Sequence, residues 1–211
     1  TMEDLAAYQA LEREPIVGQY HGATIISAPP PSSGGIALVT ALNVLSGYDL
    51  SKVDAVTRKH LVIEAMRRMH RDRAVWLGDT AFTDVPVKML TSSDYAAGLR
   101  TSIRLDRATP SAMLASAPET TDSGMNTTHF SVLDAEGNRV AGTITLNAGF
   151  GSGLMVEGTG LLLNNQMDDF SVKPGVPNIY GLIGASANRI EPGKRMLSSI
   201  TPTFIESPRG F

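Results

Sequence analysis

The pattern of apolar and polar residues predicts mainly helices in the first half of the chain and mainly strands in the second half. Near the start, alternating residues predict two short strands at 16–20 and 23–28, joined by a tight turn at His21-Gly22. Helices are predicted where apolar residues recur every three or four positions and a cap or a stop residue bounds them: residues 3–14, 34–47, 53–76 and 93–102. The serines before residue 34 predict a serine cap for the second of these helices.

The longest predicted helix, at 53–76, combines an apolar stripe with a basic cluster. Val62, Met66 and Met69 recur at i, i+4 and i+7, which predicts the buried face. Four arginines flank that stripe. We interpret them as a solvated face rather than a binding site, with two acids available for pairing. The cluster consists of Arg67, Arg68, Arg71, Arg73, Glu64 and Asp72.

The second half begins after residues 109–125, small and polar, which we interpret as an exposed linker. Residues 128–134 and 139–146 predict a hairpin around a turn at 135–138. A short buried strand is predicted at 160–163, a long ordered loop at 173–192, and an extended segment at 197–205 that Pro202 interrupts. This order of elements is typical of a two-part protein of helices and sheets.

Composition narrows the possible partners and chemistry. The 211 residues carry a formal net charge of −3 with scattered charges, so we expect neither a nucleic-acid nor a membrane partner. The absence of cysteine excludes disulfides, thiol catalysis and thiolate metal sites. His60 and His70 lie ten residues apart, which is not a metal spacing on a helix face. The glycine-rich loop at 149–153 lacks the Lys-Ser/Thr of a phosphate loop. We therefore expect no metal and no cofactor.

The segment Asn126-Thr127-Thr128-His129-Phe130-Ser131-Val132 stands between the linker and the strands. Cleavage of the Asn126–Thr127 bond would leave Thr127 with a hydroxyl and a free α-amine. That amine, with a reference pKa of about 8, can take the hydroxyl proton. We interpret this bond as the cut point of a precursor. Taken alone, Thr-Thr-His is typical of a strand start. Asn126-Thr127-Thr128 is also a formal glycosylation acceptor, but a glycan there would obstruct processing.

Several motifs along the chain closely resemble the γ-glutamyltranspeptidase family, and the resemblance covers essentially the whole sequence. Their order, rather than any single motif, carries the resemblance. The motifs from the cut point onward are Thr127-Thr128-His129-Phe130-Ser131-Val132, Thr145-Leu146-Asn147, Leu163-Asn164-Asn165-Gln166-Met167-Asp168-Asp169-Phe170, Lys173-Pro174-Gly175-Val176-Pro177-Asn178 and Leu197-Ser198-Ser199. Upstream, residues 29–35, Asp72-Arg73 and Leu77-Gly78-Asp79 are similar to the end of that family's large subunit.

The resemblance implies an N-terminal-nucleophile hydrolase fold, an αββα sandwich that is incomplete in this chain. It implies a precursor that cleaves itself. Residues 1–126 would be the C-terminal part of the large subunit, and residues 127–211 the N-terminal part of the small subunit. Thr127 would be the nucleophile for both self-cleavage and turnover. A periplasmic or extracellular location is also implied.

The resemblance assigns further roles residue by residue. Thr145 would support the nucleophile, and His129 is assigned to structure because the amine of Thr127 already supplies a base. Three residues would hold the substrate's α-amino group: Asn147, Gln166 and Asp169. One carboxylate among neutral amides suits an ammonium ion. Ser198 and Ser199 would donate to the α-carboxylate. Tyr180 would lie in a lid loop and hydrogen-bond toward Asn147. Without the resemblance, residues 164–169 would be an ordinary turn and Ser198-Ser199 a strand-edge pair.

The expected activity is cleavage of γ-glutamyl amides such as glutathione through a γ-glutamyl ester on Thr127, with transfer to water or to an amino acid or peptide amine. The family's carboxylate-clamping arginine would precede Thr1, and the glycines of its oxyanion hole would follow Phe211. We therefore expect this polypeptide alone to be inactive and to require the remaining parts of its subunits. Two alternatives stay open. One is a family acylase with another donor (poly-γ-glutamate or a cephalosporin-type side chain). The other is an uncleaved, non-catalytic binding or structural relative.

Overall fold

The computed structural model describes residues 1–114, 127–179 and 181–208. The fold combines helices with small antiparallel sheets. The helices are α1 (Met2–Ala7), α2 (Gly34–Leu45), α3 (Ala55–Trp76), α4 (Val87–Leu90) and α5 (Ser93–Arg100). The strands are β1 (Ile16–Tyr20), β2 (Ala23–Ser27), β3 (Thr127–Leu133), β4 (Arg139–Thr145), β5 (Met155–Val156), β6 (Leu161–Leu162) and β7 (Thr203–Glu206). Short 3-10 helices occupy Ser111–Leu114, Gln166–Asp169 and Ser186–Asn188.

The three-stranded sheet joins the two halves of the chain. Its order is β1-β2-β7, with all pairs antiparallel, so β7 from the end of the chain completes a hairpin formed near the start. The predicted hairpin at His21-Gly22 is confirmed, and β7 begins directly after Pro202 as the sequence suggests. The second predicted hairpin is confirmed as β3–β4, and β5–β6 forms a third antiparallel pair.

Helix α2 lies at the centre of the packing. It is apolar on all sides and contacts β1, β2, α3, α4 and α5, as expected for a buried helix. One core cluster joins it to the sheet and to the segment before Ser198: Ile16, Ile36, Val39, Leu77, Val85, Leu90 and Leu197. A second joins it to α3 and α5: Val44, Leu45, Leu61, Ala65, Ala96, Leu99 and Ile103. A Cβ at Gly34 would collide with Ile200 O and Thr201 Oγ1, so only glycine lets residues 200 and 201 approach the start of α2.

Helix α1 is shorter than the predicted helix at 3–14, which is wrong beyond Ala7. None of its residues is buried, so no packed apolar face supports a longer helix. The following residues instead make long-range contacts. Arg13 pairs with Asp79 at 3.0 Å, and the Gln9 carbonyl accepts a hydrogen bond from Arg195 at 2.6 Å.

The buried face of α3 differs from the predicted apolar stripe. The side chains that the fold buries are Leu61, Glu64, Ala65, Arg68, Asp72 and Arg73, whereas Met66 is exposed. The interpretation of the arginines as a solvated face is therefore wrong for Arg68 and Arg73. The predicted pairing is confirmed, with Arg68–Glu64 at 2.5 Å and Arg71–Asp72 at 2.6 Å. An ion pair lets Arg68 enter the interior, whereas the buried Arg73 donates to two serine hydroxyls, and apolar periodicity alone indicates neither arrangement.

The interpretation of residues 109–125 as an exposed linker is wrong at its start. The backbone N–H and the hydroxyl of Thr109 both donate to Glu64, at 3.1 and 2.5 Å, and Leu114 is buried. The remainder of that segment, 115–125, lies outside the described residues. The predicted buried strand at 160–163 is only the two-residue β6, and Leu161 in it is exposed. Its limited burial follows from pairing with β5 alone.

Candidate active site

The predicted nucleophile and its supporting threonine face each other on the β3–β4 hairpin. Thr127 is the first residue of β3 and pairs directly with Thr145 at the end of β4. The Thr127 hydroxyl donates to Thr145 Oγ1 at 3.1 Å. Thr145 Oγ1 also accepts the backbone N–H of Asn147, at 2.9 Å. The side chain of Thr127 is exposed, so a substrate can reach its hydroxyl. Asn126, on the other side of the predicted cut point, lies outside the described residues.

Asn147 turns the chain from β4 toward the next predicted site residues. Its φ of 75° is left-handed, a conformation that asparagine tolerates better than most residues. Its side-chain amide donates to Asn165 O at 3.4 Å, and Asn165 Oδ1 accepts the N–H of Ala148 at 2.9 Å. Asn165 thus ties the end of β4 to the 3-10 helix Gln166–Asp169. The sequence prediction missed this role, although Asn165 lies inside one of the motifs.

Gln166 and Asp169 lie together on that 3-10 helix. The Gln166 side-chain amide donates to Asp169 Oδ2 at 3.3 Å. Burial raises the pKa of the Asp169 carboxyl, while Gln166 and the charge of Arg73 oppose that rise. A partly buried carboxylate with so little local compensation is suited to accept a cation such as an ammonium group. The structure therefore brings Asn147, Gln166 and Asp169 into one hydrogen-bonded segment.

Asn188 connects this segment to the predicted serine pair. Its side chain is buried, donates to Asp169 O at 2.7 Å, and accepts the N–H of Leu197 at 3.0 Å. Leu197 immediately precedes Ser198. No pattern in the sequence pointed to Asn188, because its partners come from two distant segments.

Ser198 and Ser199 lie against the N-terminal end of α2. Ser198 forms a parallel bridge with Ser32, and the Ser33 hydroxyl donates to Ser198 O at 2.9 Å. Arg73 donates from Nε to Ser33 Oγ at 3.2 Å and from Nη2 to Ser199 Oγ at 3.1 Å. The Ser32 hydroxyl accepts the N–H of Gly34, the first residue of α2, at 3.2 Å, so a serine side chain bonds to the helix start as predicted. Ser33 occupies the N-cap position but makes no side-chain cap hydrogen bond. Its hydroxyl serves the serine pair instead.

The loop that carries residue 180 is attached beside Asp169. The Ile179 N–H donates to Asp168 Oδ2 at 3.0 Å, and the Leu182 N–H donates to Asn178 Oδ1 at 3.0 Å. Tyr180 itself lies outside the described residues. The predicted contact between Tyr180 and Asn147 therefore stays a prediction.

His129 lies two residues after Thr127 on the exposed hairpin. Its Nδ1 hydrogen-bonds with Thr143 Oγ1 at 2.9 Å, across the strands. Across residues 1–114, 127–179 and 181–208, the structure contains no group of three or more His, Asp or Glu side chains that could hold a metal ion. Over the same ranges, no helix is both long and apolar enough to cross a bilayer.

Comparison with known proteins finds a matching family model and similar proenzymes. The family model described as gamma-glutamyltranspeptidase matches residues 1–210. The glutathione hydrolase proenzyme of Escherichia coli K12 is 46% identical over 207 residues, which are 97% of this chain and 36% of that protein. The acylase ACY 1 proenzyme of Pseudomonas sp. strain SE83 is 40% identical over 204 residues, 94% of this chain and 34% of that protein.

A solved structure resembles the whole fold. The crystal structure of cephalosporin acylase from Bacillus halodurans matches with a TM-score of 0.78 at 30% identity, covering 100% of this chain and 35% of that chain. The chain thus spans about a third of the length of these relatives.

Proposed function

Because the chain belongs to the gamma-glutamyltranspeptidase family, we propose that it is part of a self-processing enzyme that cleaves γ-glutamyl amides such as glutathione. The observation that carries the proposal is the hydrogen bond between Thr127 and Thr145, 3.1 Å long, at the start of the strand pair. It holds an exposed hydroxyl in a fixed direction at the position where the sequence predicts a new chain terminus.

Self-cleavage uses the Thr127 hydroxyl. The oxygen adds to the carbonyl carbon of Asn126, and the C–N bond breaks as the nitrogen takes a proton. The product is an ester between Asn126 and the Thr127 side chain. Water hydrolyses this ester, leaving a carboxylate on Asn126 and a free α-amine on Thr127. The two products are residues 1–126, from the large subunit, and residues 127–211, from the small subunit.

Turnover repeats this chemistry on a substrate. The α-amine of Thr127 takes the hydroxyl proton as the oxygen attacks the γ-carbonyl carbon. Thr145 Oγ1 already accepts the Asn147 N–H, so its own hydrogen is free to donate to the Thr127 oxygen as that oxygen loses its proton. The leaving amine departs with a proton, and a γ-glutamyl ester remains on Thr127. Water or an amino acid or peptide amine then takes the acyl group.

Recognition of the γ-glutamyl group falls to the polar residues beside this hydroxyl. In our proposal, Asn147, Gln166 and Asp169 accept hydrogen bonds from the α-ammonium group, and Asp169 supplies the charge. Ser198 and Ser199 donate to the α-carboxylate. The loop that contains Tyr180 closes over the pocket, and the exclusion of water favours transfer to an amine.

The remaining parts of the two subunits complete the enzyme in this proposal. All seven residues of β3 are exposed, including the apolar Phe130 and Val132. An isolated two-stranded hairpin is marginally stable in water, so we propose that β3–β4 packs against further strands of an αββα sandwich built with the rest of the protein. That remainder would also supply the arginine and the oxyanion donors of the family, worth about 3 kcal/mol or more per oxyanion donor. We further propose a periplasmic or extracellular location for the assembled enzyme.

Replacement of Thr127 tests the proposal in the full-length protein. Thr127→Ala removes the hydroxyl, so we expect no cleavage at this bond on denaturing mass measurement and no release from γ-glutamyl-p-nitroanilide. Thr128→Ala is the matched control, because Thr128 faces the other side of β3, and it should retain both activities. Release of the γ-glutamyl group by Thr127→Ala at the wild-type rate would refute the assignment.

A second donor class is favoured by one observation. The likeness to a cephalosporin acylase extends over the whole chain. An acylase acting on cephalosporin-type side chains would use the same Thr127 chemistry with a different acyl pocket. A panel of γ-glutamyl, poly-γ-glutamyl and cephalosporin-type donors, assayed on full-length protein, separates these candidates by their kcat/KM values.

A further inference from the structure

Arg73 is a buried arginine whose described partners are uncharged. Its side chain is 7% exposed and donates to two hydroxyls, Ser33 Oγ and Ser199 Oγ. The other deeply buried arginine of α3, Arg68, pairs instead with the Glu64 carboxylate at 2.5 Å. Within the described ranges, no carboxylate oxygen lies within the 4.0 Å of an ion pair from Arg73. A buried charge without an ion pair is costly, so its position calls for a functional explanation.

The direction of these hydrogen bonds determines where the serine hydrogens point. A guanidinium only donates, so Ser199 Oγ is the acceptor and its single hydrogen is not used for this contact. Ser33 Oγ likewise accepts from Arg73, and its own hydrogen goes to Ser198 O at 2.9 Å. The distance from Ser33 Oγ to Ser199 Oγ is longer, at 3.5 Å.

Both predicted carboxylate donors therefore keep a free hydrogen. Ser198 Oγ accepts the Ile200 N–H at 3.1 Å, and Ser199 Oγ accepts from Arg73 at 3.1 Å. In the part of the chain that the structure describes, neither hydroxyl donates to an acceptor. Ser199 is exposed, whereas Arg73 lies behind it. Two adjacent O–H groups with occupied acceptor positions form a donor pair for an anion with two oxygens.

We propose that Arg73 is a positioning residue that fixes Ser199 directly, and Ser198 through Ser33, as hydrogen-bond donors, and so selects acyl donors that carry a free carboxylate at the α-carbon. The inference rests on the proposed function. It assigns to Arg73 a role that acts through the serines rather than by contact with the substrate. The charge of Arg73 also opposes the rise that burial causes in the pKa of Asp169, the proposed partner of the α-ammonium group.

Three anilide donors isolate this role in the full-length, processed enzyme. γ-Glutamyl-p-nitroanilide carries both the α-amino and the α-carboxylate groups, glutaryl-p-nitroanilide lacks only the amino group, and 4-aminobutyryl-p-nitroanilide lacks only the carboxylate. Arg73→Met keeps the length of the side chain but removes its charge and donors. Arg58→Met, at an exposed arginine of the same helix, is the matched control.

We expect Arg73→Met to lower kcat/KM about 10- to 100-fold for the two donors that carry the carboxylate, mainly through KM, as for lost hydrogen bonds to a charged group. The value for 4-aminobutyryl-p-nitroanilide should stay within about threefold of wild type, since that donor makes no such bond. Arg73→Lys should recover part of the loss because it keeps the charge and one donor. An equal loss for all three donors, or no loss for any, would overturn the proposal.

Two further variants keep the test decisive if Arg73→Met fails to fold. Ser33→Ala is a mild change that breaks the relay to Ser198 O, and it should produce the same selective loss for carboxylate donors. In a Ser33→Ala/Ser199→Ala background, Arg73→Lys should have little further effect on γ-glutamyl-p-nitroanilide, because both hydroxyls through which Arg73 acts are absent. Additive losses would overturn the proposal. A wild-type enzyme that is inactive on γ-glutamyl donors would instead refute the proposed function itself.

Discussion

The hairpin that carries Thr127 and the serine pair at residues 198–199 are built in opposite ways. Thr127 and Thr145 lie 18 positions apart and meet through one local strand pairing, on an exposed surface. Arg73 and Ser199 lie 126 positions apart, and Ser33 and Ser198 lie 165 apart, with both supporting side chains buried. Local pairing thus orients the hydroxyl, whereas the packed helices α2 and α3, here called the helical layer, orient the serines that we propose as recognition groups. Changes in the hairpin should therefore affect the chemical step, whereas changes in the helical layer should affect stability and recognition of the donor.

The largest change in stability is expected from substitution of Glu64 in the helical layer. This carboxylate is 1% exposed and accepts hydrogen bonds from Arg67, Arg68 and Thr109. Glu64→Gln leaves the Arg68 charge buried without compensation, which should cost about 3–5 kcal/mol of unfolding free energy. Urea denaturation of the full-length protein measures this. Glu157→Gln, at an exposed acid near β5, should change stability by less than about 0.5 kcal/mol. Equal losses of unfolding free energy in the two variants would contradict the claim that the helical layer determines stability.

Acid should weaken the same layer over a defined range. Burial raises the pKa of Glu64, but hydrogen bonds from Thr109, Arg68 and Arg67 outweigh it and bring the pKa from 4.5 to about 2. A carboxyl whose folded pKa is depressed adds stability above its unfolded pKa and loses it as the pH falls toward the folded value. The difference in unfolding free energy between wild type and Glu64→Gln should therefore shrink between pH 4.5 and about pH 2. A difference that stays constant over this range would show that folding does not lower the pKa of Glu64.

A smaller effect is expected from loss of the Thr145 hydroxyl, which supports the proposed nucleophile Thr127. Thr145→Val removes the acceptor of the Thr127 hydroxyl and of the Asn147 N–H, and should lower kcat about tenfold, near 1.4 kcal/mol. Thr143→Val is the matched control. Thr143 lies on the same face of β4, but its hydroxyl contacts His129 rather than Thr127. A similar loss of kcat in both variants would mean that the hairpin as a whole, not the threonine pair, matters.

The smallest effect is expected for His129. This side chain contacts Thr143 on the exposed surface of the hairpin. His129→Ala should change kcat less than about threefold and stability by less than about 0.5 kcal/mol. Loss of turnover in His129→Ala at unchanged stability would identify His129, rather than the amine of Thr127, as the base.

The sequence predicted the local parts of the fold well. Both hairpins, the three long helices and the break before β7 follow from periodicity and turn residues, since each depends on neighbours in the chain. The burial of Arg68 and Arg73 was not predictable in this way, because their partners Glu64, Thr109 and Ser199 decide whether a charge can leave water.

The residues of the candidate site likewise divide into those that sequence motifs identify and those that only the fold identifies. The motifs identified Thr127, Thr145, Asn147, Gln166, Asp169, Ser198 and Ser199. The residues that hold them together, Ser33, Asn165 and Asn188, could not be assigned those roles. Their hydrogen bonds join segments that only the fold makes adjacent, such as Asn188 with Asp169 and Leu197. Sequence motifs thus indicate the groups that we propose to contact a substrate better than the groups that support them.

The most direct test of the central claim is N-terminal sequencing of the mature full-length protein, with an intact mass for each piece. Our account predicts a small subunit that begins Thr-Thr-His-Phe at Thr127 and a large subunit that ends at Asn126. An active enzyme that remains one uncut chain, or one whose new terminus lies at another residue, would contradict it.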